Sequence, residues 1–194
     1  FVWTNPGTLR LDGGTLNLGG RLTTAEFNTI QRPIDADRGT FNVNAAIDNA
    51  GSTLTFDQAK GTVRLDSTRA LIDGGTVVIT DGKLESTAGF VRDVTLDGNI
   101  VLDGNDQLLV LGTLTLANSA IVQIGGPTNG FAYLRAGSGA AWSVAGNGSV
   151  VFDGATGASR NFGNNSAPLT LGPDVVVRAL QSGNMNFGTG GVNH

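Results

Sequence analysis

The sequence predicts an all-β fold, a single-domain parallel β-helix of roughly nine coils over residues 1–194, with about three strands and twenty residues per coil. Three observations carry this expectation. One phrase, Gly-Thr-Leu-x-Leu-x-Gly, occurs twice near the start, as GTLRLDG from Gly7 and GTLNLGG from Gly14, and near-copies follow. Aromatic residues are only 6% of the chain, fewer than the core of a two-sheet sandwich of this size would use. Glycine stands at 30 residues, about twice its usual share, and with Ala, Ser, Thr and Asn it supplies tight, stackable corners. Near-identical strands suit rungs that bury their inner face only by stacking on one another.

The strands follow in order. After the opening pair come GTFNVNA from Gly39, STLTFDQ from Ser52, GTVRLDS from Gly61 and GTVVITDG from Gly75. Then come VTLDGNIVLDGN from Val94 and GTLTLAN from Gly112. Looser segments complete the chain: AIVQIGG, FAYLRAG, AWSVAGNGSVVFDG, PLTLGPDVVVRAL and NMNFGTGG. Each places apolar residues at i and i+2 and closes on Gly, Asn or Asp, the signature of a strand bounded by turns. About fifteen short strands are expected on this reading. The inward set is Leu9, Leu11, Leu16, Leu18, Phe41, Val43, Leu54, Phe56, Val63, Leu65, Val77, Ile79, Leu114 and Leu116. The weakest strand region is Arg21 to Arg38, RLTTAEFNTIQRPIDADR, where a longer loop with a short helical turn near Thr24–Asn28 is expected. Pro33 stops any helix there.

Composition excludes several classes of function. The net charge is −4 and the 12 basic residues are scattered, so no nucleic-acid partner is expected. The absence of cysteine removes disulfides, thiol catalysis and thiolate metal sites. No run approaches the length of a transmembrane helix. The chain opens on FVWTNPGTLRL without an initiator methionine, which reads as a segment of something longer.

The chemical candidates reduce to structure. GGTLNLGG lacks the phosphate-loop pattern and no helix follows it. Asp97, Asp103 and Asp106 sit near Gly and Asn, but neither the calcium-roll nor the EF-hand spacing is present, and Asp-Gly and Gly-Asn-Asp are ordinary turns. The only histidine is His194, which makes a Ser-His-Asp triad implausible. Asp12, Asp57, Asp66, Asp97, Asp103 and Asp153 fall at strand ends, where turn residues belong, rather than as a carboxylate pair for glycoside chemistry. Thr53 with Thr55 and Thr113 with Thr115 do not make the sustained array that ice binding needs, although the Gly-Thr threonines could align in a ladder that stabilises the rod. Trp3 and Trp142 could stack on sugars; burial or covering of an end is the reading favoured for each. No catalytic, cofactor-binding or metal-binding residue is therefore expected, and no enzyme activity.

GGTLNLGGRLTTAEFNTIQR, GTFNVNAAIDNAGSTLTFD and GPDVVVRALQSGNMNFG resemble the β-strand-repeat surface proteins of bacteria, a group similar to filamentous haemagglutinin and autotransporter passengers. The resemblance is clearest over Gly7–Asp57 and Leu169–Gly188. It implies a parallel β-helix outside the cell, on the bacterial surface, with a structural or adhesive role and no catalytic residues. The partners implied are further copies or adjacent repeats end to end, and cell-surface glycans. Neither end reads as a polar cap, so continuation of the solenoid at both ends is expected. Gln31–Arg38 departs from the usual Gly-rich turn and is expected to protrude. The rival reading is a β-helical carbohydrate-active enzyme or carbohydrate-binding module.

Overall fold

Period-two alternation becomes strand at each Gly-Thr phrase, and the strands stack in parallel and nearly in register. In a computed structural model the chain is a β-solenoid of about seven coils, described over residues 7, 9–11, 13–31, 39–164 and 166–193. In chain order the first elements are β1 (Leu9–Arg10), β2 (Thr15–Thr23), α1 (Thr24–Asn28), β3 (Ile30–Gln31), β4 (Thr40–Asp48) and β5 (Thr53–Phe56). β6 (Thr62–Leu65), β7 (Leu71–Asp73), β8 (Thr76–Ile79) and β9 (Lys83–Ser86) follow. Two long strands, β10 (Gly89–Leu102) and β11 (Asp106–Ile124), form the middle. The rest are β12 (Phe131–Ala136), β13 (Trp142–Gly146), β14 (Ser149–Phe152), β15 (Ser159–Gly163), β16 (Leu169–Leu171), β17 (Val176–Ala179), β18 (Asn184–Asn186) and β19 (Val192–Asn193).

The registers define four faces. Face A stacks the starts of β2 and β4 with β6 and β9, then continues through the start of β11 to β12, β15 and β18. The step from β9 to β11 is made by the Ser86 hydroxyl, which donates to the Gln107 carbonyl at 2.6 Å. Face B stacks the ends of β2 and β4 with β7, the start of β10, residues 109–111 and the end of β12. Face C runs through β5, β8, Thr95–Asp97, Thr113–Leu116, β13, β16 and β19. Face D begins at Asn99–Leu102 and continues through Ile121–Ile124, β14 and β17. The N-terminal coils are thus triangles of faces A, B and C, and the C-terminal coils are triangles of A, C and D.

Seven coils rather than nine follow from longer rungs. The step from Asn17 to Asn42 is 25 residues and from Arg64 to Glu85 it is 21, but Phe131 and its partner Ser159 are 28 apart. The extra residues lie in corners and in the loops between strands of the C-terminal coils. More strands form among the described residues than the fifteen expected because segments outside the phrases named above, such as β7, β9 and β15, also take a place in the stack.

The inward set holds. Leu11, Leu18, Phe41, Val43, Leu54, Phe56, Val63, Leu65, Val77, Leu114 and Leu116 are buried in one continuous core. Leu16 and Ile79 are partly buried against it, and the Leu9 side chain lies outside the described residues. The helical turn expected at Thr24–Asn28 is α1, although Arg21–Thr23 before it is strand rather than loop. Thr23 is the N-cap: its hydroxyl accepts from Glu26 N–H at 3.2 Å, and Glu26 Oε2 accepts from Thr23 N–H at 2.7 Å, a reciprocal capping box. α1 follows face B in the first coil as β5 does one coil later, and Phe27 packs edge-on against Phe56 with centroids 6.1 Å apart. The expected protrusion at Gln31–Arg38 lies, beyond the Gln31 backbone in β3, outside the described residues.

Candidate functional site

Outward positions on a solenoid face stack one per rung, so a single residue type at a given strand position becomes a ladder. On face A the outward rank reads Asn17, Asn42, Arg64, Glu85 and then Gln107, Tyr133, Asn161, Asn184. Asn42 Nδ2 donates to Asn17 Oδ1 at 3.1 Å. Arg64 donates from Nε and Nη2 to Glu85 Oε2 at 2.9 and 2.6 Å, and Lys83 Nζ lies 2.7 Å from the other Glu85 oxygen. Burial alone would raise the Glu85 pKa, but hydrogen bonds from Lys83 and Arg64 outweigh it and hold the carboxyl below its ordinary range.

Beside this ion-paired triplet lies a groove of about 430 Å³, lined by Arg64, Lys83, Glu85, Thr87, Asp103, Gly104, Asp106 and Thr128. Asp103 spends both carboxylate oxygens on Thr128, accepting from its N–H and its hydroxyl at 3.0 Å each, so it stitches two coils together. Asp106 accepts from Asp103 N–H at 3.0 Å across the turn. Asp106 is only 9% exposed, and burial pushes its pKa up to about 6. Nearby Glu85 adds to the rise; the Asp103 N–H, Lys83 and Arg64 oppose it.

Further along face A lies a second concavity of about 250 Å³, lined by Tyr133, Arg135, Asn161, Gly163, Asn164 and Asn186. Phe131, Tyr133 and Arg135 alternate outward along β12 as a row of stacked planes. The two rings are 4.9 Å apart at an interplanar angle of 24°, and the guanidinium carbon sits 5.4 Å from the Tyr133 centroid. Arg135 also donates to Gln107 Oε1.

The residues singled out in the sequence do not converge. Asp97 accepts from Asn118 on face C, away from the Asp103–Asp106 turn on face A. Asp57 accepts from Lys60 N–H, and Asp66 accepts from the Thr87 hydroxyl in the next coil. Among the described residues no group of three or more His, Asp or Glu side chains is placed to hold a metal ion. Trp142 is buried edge-on against Phe162, with centroids 5.9 Å apart and no partner for its indole N–H among the described residues. Trp3, Asp12 and His194 lie outside the described residues. The threonines do form ladders: Thr15, Thr40 and Thr62 on face A, and Thr53, Thr76, Thr95 and Thr115 on face C.

Asn49, Lys60 and Arg160 are among the buried polar residues that escaped the sequence reading. Asn49 sits at the corner between faces B and C, donates to Gly74 and Thr76 carbonyls at 2.9 and 3.0 Å, and accepts from the Thr24 hydroxyl at 2.6 Å. It therefore ties three coils together. The next coil crosses close by: a Cβ on Gly75, whose φ is +67°, would lie 2.0 Å from the Asn49 carbonyl. Lys60 donates to the carbonyls of Phe27, Asn28 and Ile30 and lies 5.6 Å from the Phe27 ring centroid. Burial lowers its pKa, with Asp57 opposing. Arg160, 2% exposed, donates to the carbonyls of Asp153, Ala155 and Ala158 and, one coil on, Ser182. The capping box at Thr23 was legible as T-x-x-E; a lone Asn, Lys or Arg after a turn carries no comparable signal.

Fold and surface define the class: a parallel β-solenoid with cross-rung ion pairs on faces A and B. Comparison of the chain with protein-family models, curated proteins and solved structures finds no match.

Proposed function

We propose that this chain is a structural and adhesive segment of an extracellular fibre or stalk on a bacterial surface, in which the solenoid continues end to end. The observation that carries this reading is the last coil. Val177 and Met185 are only partly buried and Ala179 is exposed, whereas Val150, Phe162 and Phe152, their register partners one coil deeper, are buried. Val175, Val177, Met185 and Phe187 are only partly buried against the core. Among the described residues β17, β18 and β19 are paired on one edge alone. A free parallel edge carrying apolar side chains is a template for another coil, and a head-to-tail contact extends rather than closes. That coil would come from an adjacent repeat or from a second copy. The acidic, cysteine-free composition and the resemblance to bacterial surface repeats support the extracellular setting.

The test is mass in solution by light scattering across a concentration series, with imaging of any assemblies. Concentration-dependent multimers, or filaments one solenoid wide, are expected. A stable monomer whose β17–β19 amides resist hydrogen exchange would overturn end-to-end continuation.

A second reading, a carbohydrate-binding or carbohydrate-active β-helix, draws on the groove that sets Asp106, with its raised pKa, beside ionised Glu85. Glycan arrays and a reducing-sugar assay separate binding from hydrolysis.

A further inference from the structure

The smaller concavity on face A has an unusual lining. It holds one guanidinium, three carboxamides, the phenol of Tyr133 and a glycine, with no aliphatic side chain. Arg135 has no carboxylate within ion-pair distance among the described residues, whereas Arg21, Arg64 and Arg92 each have one. Its guanidinium is nevertheless held in place by the Tyr133 ring and the Gln107 side-chain Oε1. Those contacts leave most of its five donors uncommitted. Asn161 donates to the Ser159 hydroxyl and Asn164 accepts from Ala167 N–H, so each keeps its other amide atom free of these bonds.

From this arrangement we infer that the pocket binds a hexuronate unit of an acidic polysaccharide. A fixed, uncompensated guanidinium selects a planar carboxylate, which it grips through two parallel hydrogen bonds. The carboxamides of Asn161, Asn164 and Asn186 offer donors and acceptors to ring hydroxyls. The absence of aliphatic lining disfavours an apolar peptide side chain. At about 250 Å³ the site falls just below the usual range for drug-sized ligands and suits a single sugar ring. This inference rests on the adhesive reading and supplies its ligand.

The experiment uses the whole folded chain and calorimetric or saturation-transfer titration with oligomers of galacturonate, glucuronate and mannuronate. The methyl-esterified oligomers of equal length serve as neutral comparators. At least one acid oligomer should bind, and binding should weaken as salt rises. Its ester should bind at least tenfold more weakly. Arg135→Gln should lose at least tenfold in affinity while Arg178→Gln, on exposed face D, changes nothing. Asn161→Asp should also weaken binding by placing a like charge against the carboxylate while leaving the Arg135–Gln107 contact untouched, which guards against a folding defect in the first variant. Equal binding of acid and ester, retention of affinity by both pocket variants, or no binding by any acid oligomer would overturn the inference. Light scattering on the same samples reports on end-to-end assembly independently, so failure of one reading does not imply failure of the other.

Discussion

The N-terminal and C-terminal coils enclose the same kind of aliphatic core with different triangles. Before β10 the sides are faces A, B and C; after β12 face B is gone and face D has taken over. In each half there is a place where the backbone leaves the strand path and a buried cation holds the carbonyls. In the N-terminal half α1 interrupts the rung and Lys60 gathers its C-terminal carbonyls, which favours a cation there. In the C-terminal half the loop after β14 bulges, and Arg160 gathers three of its carbonyls and one from the next coil. The lesson is that stacked strands and tight turns satisfy their own backbone, whereas these two larger departures from the stack take donors imported from a side chain.

The largest expected effect tests that contrast directly. Arg160→Ala should cost about 3–5 kcal/mol, because it orphans buried carbonyls in two coils at once. Lys60→Ala should cost about half as much, since burial already disfavours its charge. Denaturant unfolding of both variants checks the order, and equal losses would remove the distinction between the halves. Next, Leu65→Ala in the sealed N-terminal core should cost about 2–5 kcal/mol. Met185→Ala in the half-open last coil should cost about 1 kcal/mol, because less surface is buried there. The same melts measure both.

Asn49→Ala should cost about 2 kcal/mol by removing the donor to the Gly74 and Thr76 carbonyls and leaving the Thr24 hydroxyl only its longer bond to the Asp48 carbonyl. Hydrogen exchange should show its effect at Thr24 and at Gly74–Thr76 and not beyond β12. The smallest expected effect is at the junction of the halves. The folded chain holds a proton on Asp106 up to about pH 6, while the unfolded chain releases it near its ordinary 3.8. Stability therefore falls as pH rises through that window, and the carboxylate is destabilising at pH 7. Asp106→Asn keeps an acceptor for Asp103 N–H and should stabilise by on the order of 1 kcal/mol at pH 7, with the gain vanishing near pH 4. A gain that persists unchanged at pH 4 would assign the effect to packing instead.

Much of this architecture is legible in the residues. Leu54, Phe56, Val63 and Leu65 announce their burial by alternation, and Thr15, Thr40 and Thr62 announce their ladder by the repeated Gly-Thr. The number of coils is less legible, because coil length is set by corners whose residues have no period. The change of triangle is not legible, because β10 and β11 carry faces through corners without a break in their strand-like composition. The candidate pocket is hidden for a related reason. Gln107, Tyr133 and Asn161 are separated by a coil apiece, and only the register brings them into one rank.

The pairing of β10 with β11 runs through twelve residue pairs across two corners. Elsewhere most neighbouring rungs are joined by separate short ladders of two to four pairs. When a rod of this kind frays from an end, each coil it loses is released by breaking a few short seams in turn. At the waist the whole circuit is one seam that opens all together or not at all. Damage from proteolysis, heat or tension that begins at either tip should therefore stall there, leaving the far half of the rod wound.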